Sequence, residues 1–158
     1  MDNQASYQRY VDLCYRYLTF RNRSKKEMYE YLQKKNASDE IIDQIIDKLQ
    51  DQGYINDEKF ARAWVLARAR SKPKGRTLLV MELRQKGISQ DIIEQVLAEE
   101  SEELPDELAQ AISIIARHME KLDGFPRQAV YQKVGAFLMR RGYNWGIAKK
   151  AIDSYLEK

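Results

Sequence analysis

One seven-residue pattern comes round three times in this chain and limits what it can become. Leu32-Gln33-Lys34-Lys35-Asn36-Ala37-Ser38 aligns with Leu83-Arg84-Gln85-Lys86-Gly87-Ile88-Ser89, and that with Leu138-Met139-Arg140-Arg141-Gly142-Tyr143-Asn144. The same registers carry Ile41, Ile42 and Ile45 onto Ile92, Ile93 and Val96, and then onto Ile147, Ala148 and Ala151. A chain that repeats itself at about fifty residues must repeat its local structure too, because each copy sees the same short-range forces. Asn36, Gly87 and Gly142 fall at one place in the three copies. Asn and Gly are the residues that best tolerate a positive φ, so that place reads as a tight turn.

The apolar spacing on either side of the turn is helical. Tyr10, Leu13, Cys14, Tyr17 and Leu18 mark one stripe, Ile41, Ile42, Ile45, Ile46 and Leu49 another, and Ile92, Ile93, Val96 and Leu97 a third. Ser24 with Glu27 has the spacing of a capping box, and Ser38 and Ser89 stand where an N-cap is needed. Pro73 and Pro126 suit first helical turns, and Gly53, Gly87 and Gly142 suit helix ends. The spacing predicts helices over 4–20, 24–35 and 38–52, then 56–71, 73–87 and 89–100, then 104–122, 126–141 and 144–157. Seven Gly and three Pro among 158 residues are too few for the turns of an all-β fold. The expected fold is all-α: three tandem three-helix repeats, 1–55, 56–101 and 102–158, in an elongated, curved array with one long concave face.

Charge is unevenly distributed. The net charge of +3 hides a middle stretch, 58–90, at net +7, a divider, 91–107, at net −8, and a C-terminal stretch, 108–158, at net +5. Arg68, Arg70, Lys72, Lys74 and Arg76 crowd the junction between the first two helices of repeat two. Arg21, Arg23, Lys25 and Lys26 hold the matching junction of repeat one. In a stacked array such positions recur on one side, which would give a basic track able to bind phosphates. Arg140 and Arg141, with Lys149 and Lys150 nearby, form a third candidate, although tandem cations on a helix usually mark only a solvated face. Tyr15, Tyr29 and Tyr143 are less clearly inward than Tyr10, Tyr17, Phe60 and Trp64, and an outward ring beside cations is able to stack on bases.

Several chemistries find no support. The single His118 and the single Cys14 exclude an internal disulfide framework, a Cys-rich zinc site and a multi-histidine cluster. His118 reads as a helix-end residue and Cys14 as a small core residue. Neither a P-loop nor a dinucleotide fingerprint occurs. The acidic run Glu99, Glu100, Glu102, Glu103, Asp106 and Glu107 has no calcium-loop pattern and reads as a solvated helix start at a repeat boundary. No apolar stretch approaches a membrane span, and Met1 to Arg9 has no signal-peptide character. The chain is expected to be a soluble, cytoplasmic, monomeric non-enzyme without cofactor or metal.

The string Gly53-Tyr54-Ile55-Asn56-Asp57-Glu58-Lys59-Phe60-Ala61 resembles a signature of the RecX family, bacterial regulators of the RecA recombinase. Tyr17-Leu18 with Arg21, Arg23-Ser24, Glu27 and Leu32 is similar to the family's opening. Gly75-Arg76 with Glu82-Leu83-Arg84-Gln85-Lys86-Gly87-Ile88, and Phe137-Leu138-Met139-Arg140-Arg141-Gly142-Tyr143, are similar to its second and third repeats. The resemblance runs from about Tyr10 to Leu156. Gly146 and Ala148 depart from the Asp91 and Ile93 of repeat two, and the linker Leu122–Pro126 lacks the basic character of the second linker. The resemblance implies three three-helix units and binding to a RecA–DNA filament, with modulation, chiefly inhibition, of the recombinase and its ATPase in DNA repair and recombination. The implied partners are that filament and single-stranded DNA, bound weakly or through the filament. Two other classes compete with it: a helix-turn-helix regulator that reads duplex DNA directly, and a helical adaptor without nucleic acid. Against the former, the helices after the short turns open with Asp39-Glu40 and Gln90-Asp91, where a recognition helix needs Arg, Gln or Asn facing base edges.

Overall fold

The three registers read from the sequence become three helix triplets. In the computed structural model, residues 3–70, 74–102, 104 and 106–157 are described. Among them lie nine helices and no strand: α1 (Asn3–Leu18), α2 (Lys25–Lys34), α3 (Asp39–Asp51), α4 (Asp57–Arg70), α5 (Arg76–Gln85), α6 (Gln90–Glu99), α7 (Glu107–Lys121), α8 (Arg127–Arg140) and α9 (Trp145–Leu156). The third helix of each triplet starts with the same device. Ser38, Ser89 and Asn144 accept the amides of Ile41, Ile92 and Ile147 at 3.3, 3.3 and 2.9 Å. The turn before each cap holds Asn36 at φ 68°, Gly87 at φ 80° and Gly142 at φ 94°.

Ser24 and Glu27 form the expected capping box at α2. Pro126 stands one position ahead of its expected place, at the N-cap of α8, where no side chain closes the helix. Pro73 lies outside the described residues.

The core follows the register. Leu32, Leu83 and Leu138 are fully buried, as are Ile42, Ile93 and Ala148. The first triplet closes over Val11, Cys14, Met28, Leu32, Ile45 and Leu49. The third closes over Ala111, Ile115, Val134, Leu138, Ala151 and Ile152, with α7 and α8 both packed on α9. Tyr143 belongs to this second cluster with 1% of its surface exposed. It is therefore a core ring, and the outward, base-stacking position considered from sequence does not exist. Its hydroxyl donates to Gln110 Oε1 at 2.6 Å, and burial, aided by the charge of Glu107, pushes that hydroxyl up to about 12.

By packing the chain divides into two compact units, Met1–Ala63 with Leu83–Val96, and Trp64–Glu82 with Leu97–Lys158. The middle triplet is thus shared between them. Within the second unit the α8–α9 turn meets the start of α5 backbone to backbone. Gly75 N–H donates to Arg141 O at 2.8 Å and Thr77 N–H to Gly142 O at 3.2 Å. A Cβ on Gly142 would lie 2.4 Å from Leu78 Cβ and 2.9 Å from Gly75 O. Gly53, at φ 80°, has open space instead.

This contrast sets a test. Gly53→Ala should cost about 1–2 kcal/mol, the strain of a left-handed alanine alone. Gly142→Ala carries the same strain plus an overpacked backbone approach, and should cost about 1–3 kcal/mol more. Urea midpoints of the two variants compare them directly. Equal losses would mean that the close approach relaxes freely.

Candidate functional site

The basic junction of the first triplet is built on a carboxylate. Because Glu27 sits at N3 of α2, its side chain turns back toward the residues before the helix and accepts Ser24 N–H at 3.2 Å. There Arg21 reaches it with a fork, Nη2 to Oε2 at 2.5 Å and Nη1 to Oε1 at 3.1 Å. Lys86 Nζ approaches the same Oε2 at 3.3 Å. Burial alone would raise the Glu27 carboxyl. The hydrogen bonds from Arg21, the Ser24 amide and Lys86, with the charge of Arg21, outweigh it and hold the group below the ordinary range. Arg21 is therefore largely occupied.

Arg23 is held differently. Its guanidinium lies 3.7 Å from the centroid of the Tyr17 ring, and Tyr17 stacks on Tyr31 at 4.0 Å and 7°. The Nε of Arg23 is buried and has no hydrogen-bond partner. Sequence alone assigns Tyr17 to the core. The structure makes it the half-buried platform for this arginine. Lys26 Nζ donates to Gln85 O at 3.2 Å and lies 3.9 Å from Glu30. Lys25 gives its backbone N–H to Asp57 Oδ1 at 2.8 Å, while its side chain is exposed and makes no salt bridge among the described residues.

The second junction repeats the theme with other carboxylates. Glu82 receives Arg68 at 2.8 Å, Lys74 at 3.5 Å and Trp64 Nε1–H at 3.4 Å, and Arg68 lies over the Trp64 ring at 5.0 Å. Glu107 receives the backbone N–H of Arg76 at 3.2 Å and its Nε at 3.6 Å. By sequence Glu107 belongs to a solvated acidic run. It is instead an anchor for the basic junction, and Asp106 beside it caps α7. Arg70 is exposed and makes no salt bridge among the described residues, and Lys72 lies outside them. Four described cations thus face two carboxylates, which fix three of them and leave the junction positive.

Arg140 is exposed, and Arg141 lies 4.9 Å over the Phe137 ring. Lys149 pairs with Asp153 at 3.0 Å, and Lys150 is exposed. Tyr15 donates to Gln52 at 2.9 Å and Tyr29 to Asp39 at 3.2 Å, so both hydroxyls are engaged. His118 is half-buried with its ring 4.2 Å from that of Phe137. Cys14 is fully buried, and that burial pushes its thiol up to about 12. Among the described residues no three His, Cys, Asp or Glu side chains are gathered for a metal ion, and no helix is long and apolar enough to cross a membrane.

Comparison with known proteins settles the family. The model of the first RecX three-helix domain matches residues 12–49, that of the second 56–97 and that of the third 105–152. This chain belongs to the RecX family. A protein of Mycolicibacterium smegmatis named regulatory protein RecX is 32% identical over 144 residues, covering 90% of this chain and 77% of the relative. One of Bacillus pumilus with the same name is 34% identical over 137 residues, covering 87% of this chain and 51% of the relative. The chain thus spans about half the length of that relative. The crystal structure of RecX from Lactobacillus salivarius superposes with a TM-score of 0.84 at 21% identity, covering 96% of this chain and 97% of that one. At that identity the likeness concerns the fold. A regulatory role is the coarse function the relatives' names support. The Arg21–Lys26 cluster lies in the first RecX domain, Arg68–Arg76 in the second, and Arg140 and Arg141 in the third.

Two outcomes follow from the site's protonation. Cys14 should resist iodoacetamide at pH 8 in the native protein and react fully in denaturant, because the thiolate is the nucleophile. Quantitative native labelling, read by mass, would contradict its burial. Glu27 titrates lower in the folded chain, so its share of stability is present above the ordinary carboxylate range and lost as pH falls through the folded value. Glu27→Gln should be clearly less stable than wild type at pH 7, with the gap closing below about pH 4. Thermal midpoints across that range check it. A gap that stays constant would mean that Glu27 acts through shape rather than charge.

Proposed function

We propose that this RecX-family protein binds a RecA–DNA filament and restrains it, lowering strand exchange and DNA-dependent ATP hydrolysis. It acts in the cytoplasm as a monomer, by occupancy rather than by catalysis. The observation that carries the reading is the preorganised second junction: Glu82 and Glu107 hold Arg68, Lys74 and Arg76 in place, Arg70 stays unneutralised, and the whole remains positive. Cations already fixed by neighbouring protein groups lose little side-chain entropy when a phosphate arrives. Arg23, held over the Tyr17 ring and partly exposed, is a further cation for the same purpose. Another surface meets the recombinase, and the bridged filament then extends and exchanges strands less freely. Single-stranded DNA is held weakly alone and more firmly in the filament. Duplex reading by the third helices is disfavoured, because Asp39, Glu40 and Asp91 open α3 and α6 and would face phosphates.

The test separates free cations from anchored ones. Lys25→Gln, Arg70→Gln and Arg140→Gln combined should leave the thermal midpoint unchanged, since none of the three makes a salt bridge among the described residues. Each DNA phosphate that goes unneutralised in the variant should take about 0.7–0.9 off the salt slope of log K for filament binding. Inhibition of the recombinase ATPase should fall in parallel, most at low salt. A triple variant with wild-type slope and wild-type inhibition would leave the protein–protein surface alone to carry the activity.

A further inference from the structure

The three registers allow one position to be followed through the molecule. Tyr29, Val80 and Gly135 correspond on the second helices, and Asp39, Gln90 and Trp145 on the third. In the first triplet the large ring is on the second helix, and Tyr29 reaches across to hydrogen-bond Asp39. In the third triplet the arrangement is inverted. The second helix carries no side chain at Gly135, and the indole of Trp145 lies where one would have been. A Cβ on Gly135 would stand 2.6 Å from Trp145 Cζ3. The exchange does not bury the ring, since Trp145 keeps 44% of its surface exposed and Met139 beside it 52%.

Trp145 thereby lines an open groove on α8 and α9, floored by Gly135 and Ala136 and walled also by Gln128, Tyr131, Gln132 and Met139. The matching groove of the first triplet is lined instead by Lys25, Lys26, Tyr29 and the acidic Glu30 and Asp57. The Tyr131 and Trp145 rings meet edge to face, with centroids 6.5 Å apart. None of the lining residues is acidic. Arg127, one turn before Tyr131, Arg140, one turn beyond Ala136, and Lys149, one turn beyond Trp145, are all exposed. The carboxylate beside Tyr131, that of Asp153, is already bonded by the Tyr131 hydroxyl and by Lys149.

We infer that this groove takes unstacked bases of a single-stranded nucleic acid, with Trp145 as the stacking platform. The inference rests on the filament reading above and adds a base-binding site to it. Charge complementarity selects the occupant: cations at the rim suit a strand whose phosphates flank each base. The lining suits the base itself, because a π-face and a thioether take its plane while the amides of Gln128 and Gln132 offer both donors and acceptors to its edge. Stacking on an aromatic ring is tolerant of sequence, as binding along a filament strand requires. An acidic amphipathic helix of a protein partner is the other occupant such a groove could take, and the experiment tells the two apart.

The experiment compares a dT oligonucleotide with an abasic oligonucleotide of equal length and charge, both titrated at two salt concentrations. The protein is wild type or Trp145→Gln, which installs the residue that the second triplet carries at this position. The wild type should prefer dT to the abasic strand. Trp145→Gln should weaken dT binding by about five- to hundredfold, leave abasic binding unchanged, and keep the wild-type salt slope, because every cation stays in place. A 5-iodouracil strand irradiated on the wild type should crosslink to a peptide that contains Trp145 or Tyr131. Because indole loss could unsettle α9, Met139→Gln serves as a second variant with the same expectation at smaller size, and circular dichroism checks both. Equal affinity of the wild type for the two strands, or crosslinks confined to other peptides, would overturn the inference. So would a Trp145→Gln variant that binds dT normally but loses filament binding, which would assign the groove to a protein segment. Should the inference fail in any of these ways while the wild type still inhibits the recombinase ATPase, the filament reading stands. Absence of that inhibition removes the filament reading itself.

Discussion

The backbone pairing between the α8–α9 turn and the start of α5 positions much of the second unit. Gly75 and Thr77 give their amides to Arg141 and Gly142 carbonyls, so the orphan donors at a helix start are satisfied by the turn of the next triplet rather than by a side chain. The approach is close enough that a Cβ on Gly75 would lie 2.2 Å from Gly142 O. With α5 seated there, the amide of Arg76 falls on Glu107, and Lys74 and Arg68 fall on Glu82. The first unit solves the same problem with side chains. Its α2 start is closed by Ser24 and Glu27, and the Gly87 turn packs against Lys26, whose ammonium donates to Gln85 O.

This arrangement explains why the basic junctions are more than a density of positive charge. Exposed ion pairs contribute little to stability, about 0–1 kcal/mol each. Their consequence here is geometric. Glu27, Glu82 and Glu107 are the less exposed members of their pairs, and each draws long cationic side chains into a fixed place. Aromatic rings do the same for Arg23, Arg68 and Arg141. For the filament binding we propose, the cost of ordering these lysines and arginines around phosphates is thereby met largely during folding. The unpaired Lys25, Arg70 and Arg140 are the ones free to respond to a partner without loss to the fold.

The repeats also show how one scaffold diversifies. Equivalent positions keep the role where backbone geometry demands it, with Asn or Gly at the turns and Ser or Asn at the N-caps, and change the residue where a surface is at stake. Tyr29 bonded to Asp39 lines one groove together with Lys25, Lys26 and Glu30, while Gly135 with Trp145 gives the third triplet an aromatic, acid-free one. The third triplet departs furthest from the others in just this region, where Gly146 replaces the Asp91 of the second.

Helix number, turn positions, N-caps and the buried set Leu32, Leu83 and Leu138 were legible from the chain alone, because they depend on neighbours within four residues or on a register that the sequence states three times. So was the family. The crowding of cations at two junctions was visible as well. What the sequence could not show was which of them were committed. Glu82 lies 14 residues from Arg68, Glu107 lies 31 from Arg76, and Lys86 lies 59 from Glu27, and no local pattern announces such pairs. Tyr143 reads from sequence as less clearly inward for the same reason: a tyrosine next to a turn is ambiguous until the helices that bury it, and the Gln110 that receives its hydroxyl, are in place. Local sequence determines the elements and their order, since backbone hydrogen bonding and short-range periodicity are local. The division of charged and aromatic side chains into anchors and free groups was decided only by tertiary packing, because it depends on which distant residue arrives within a few ångströms.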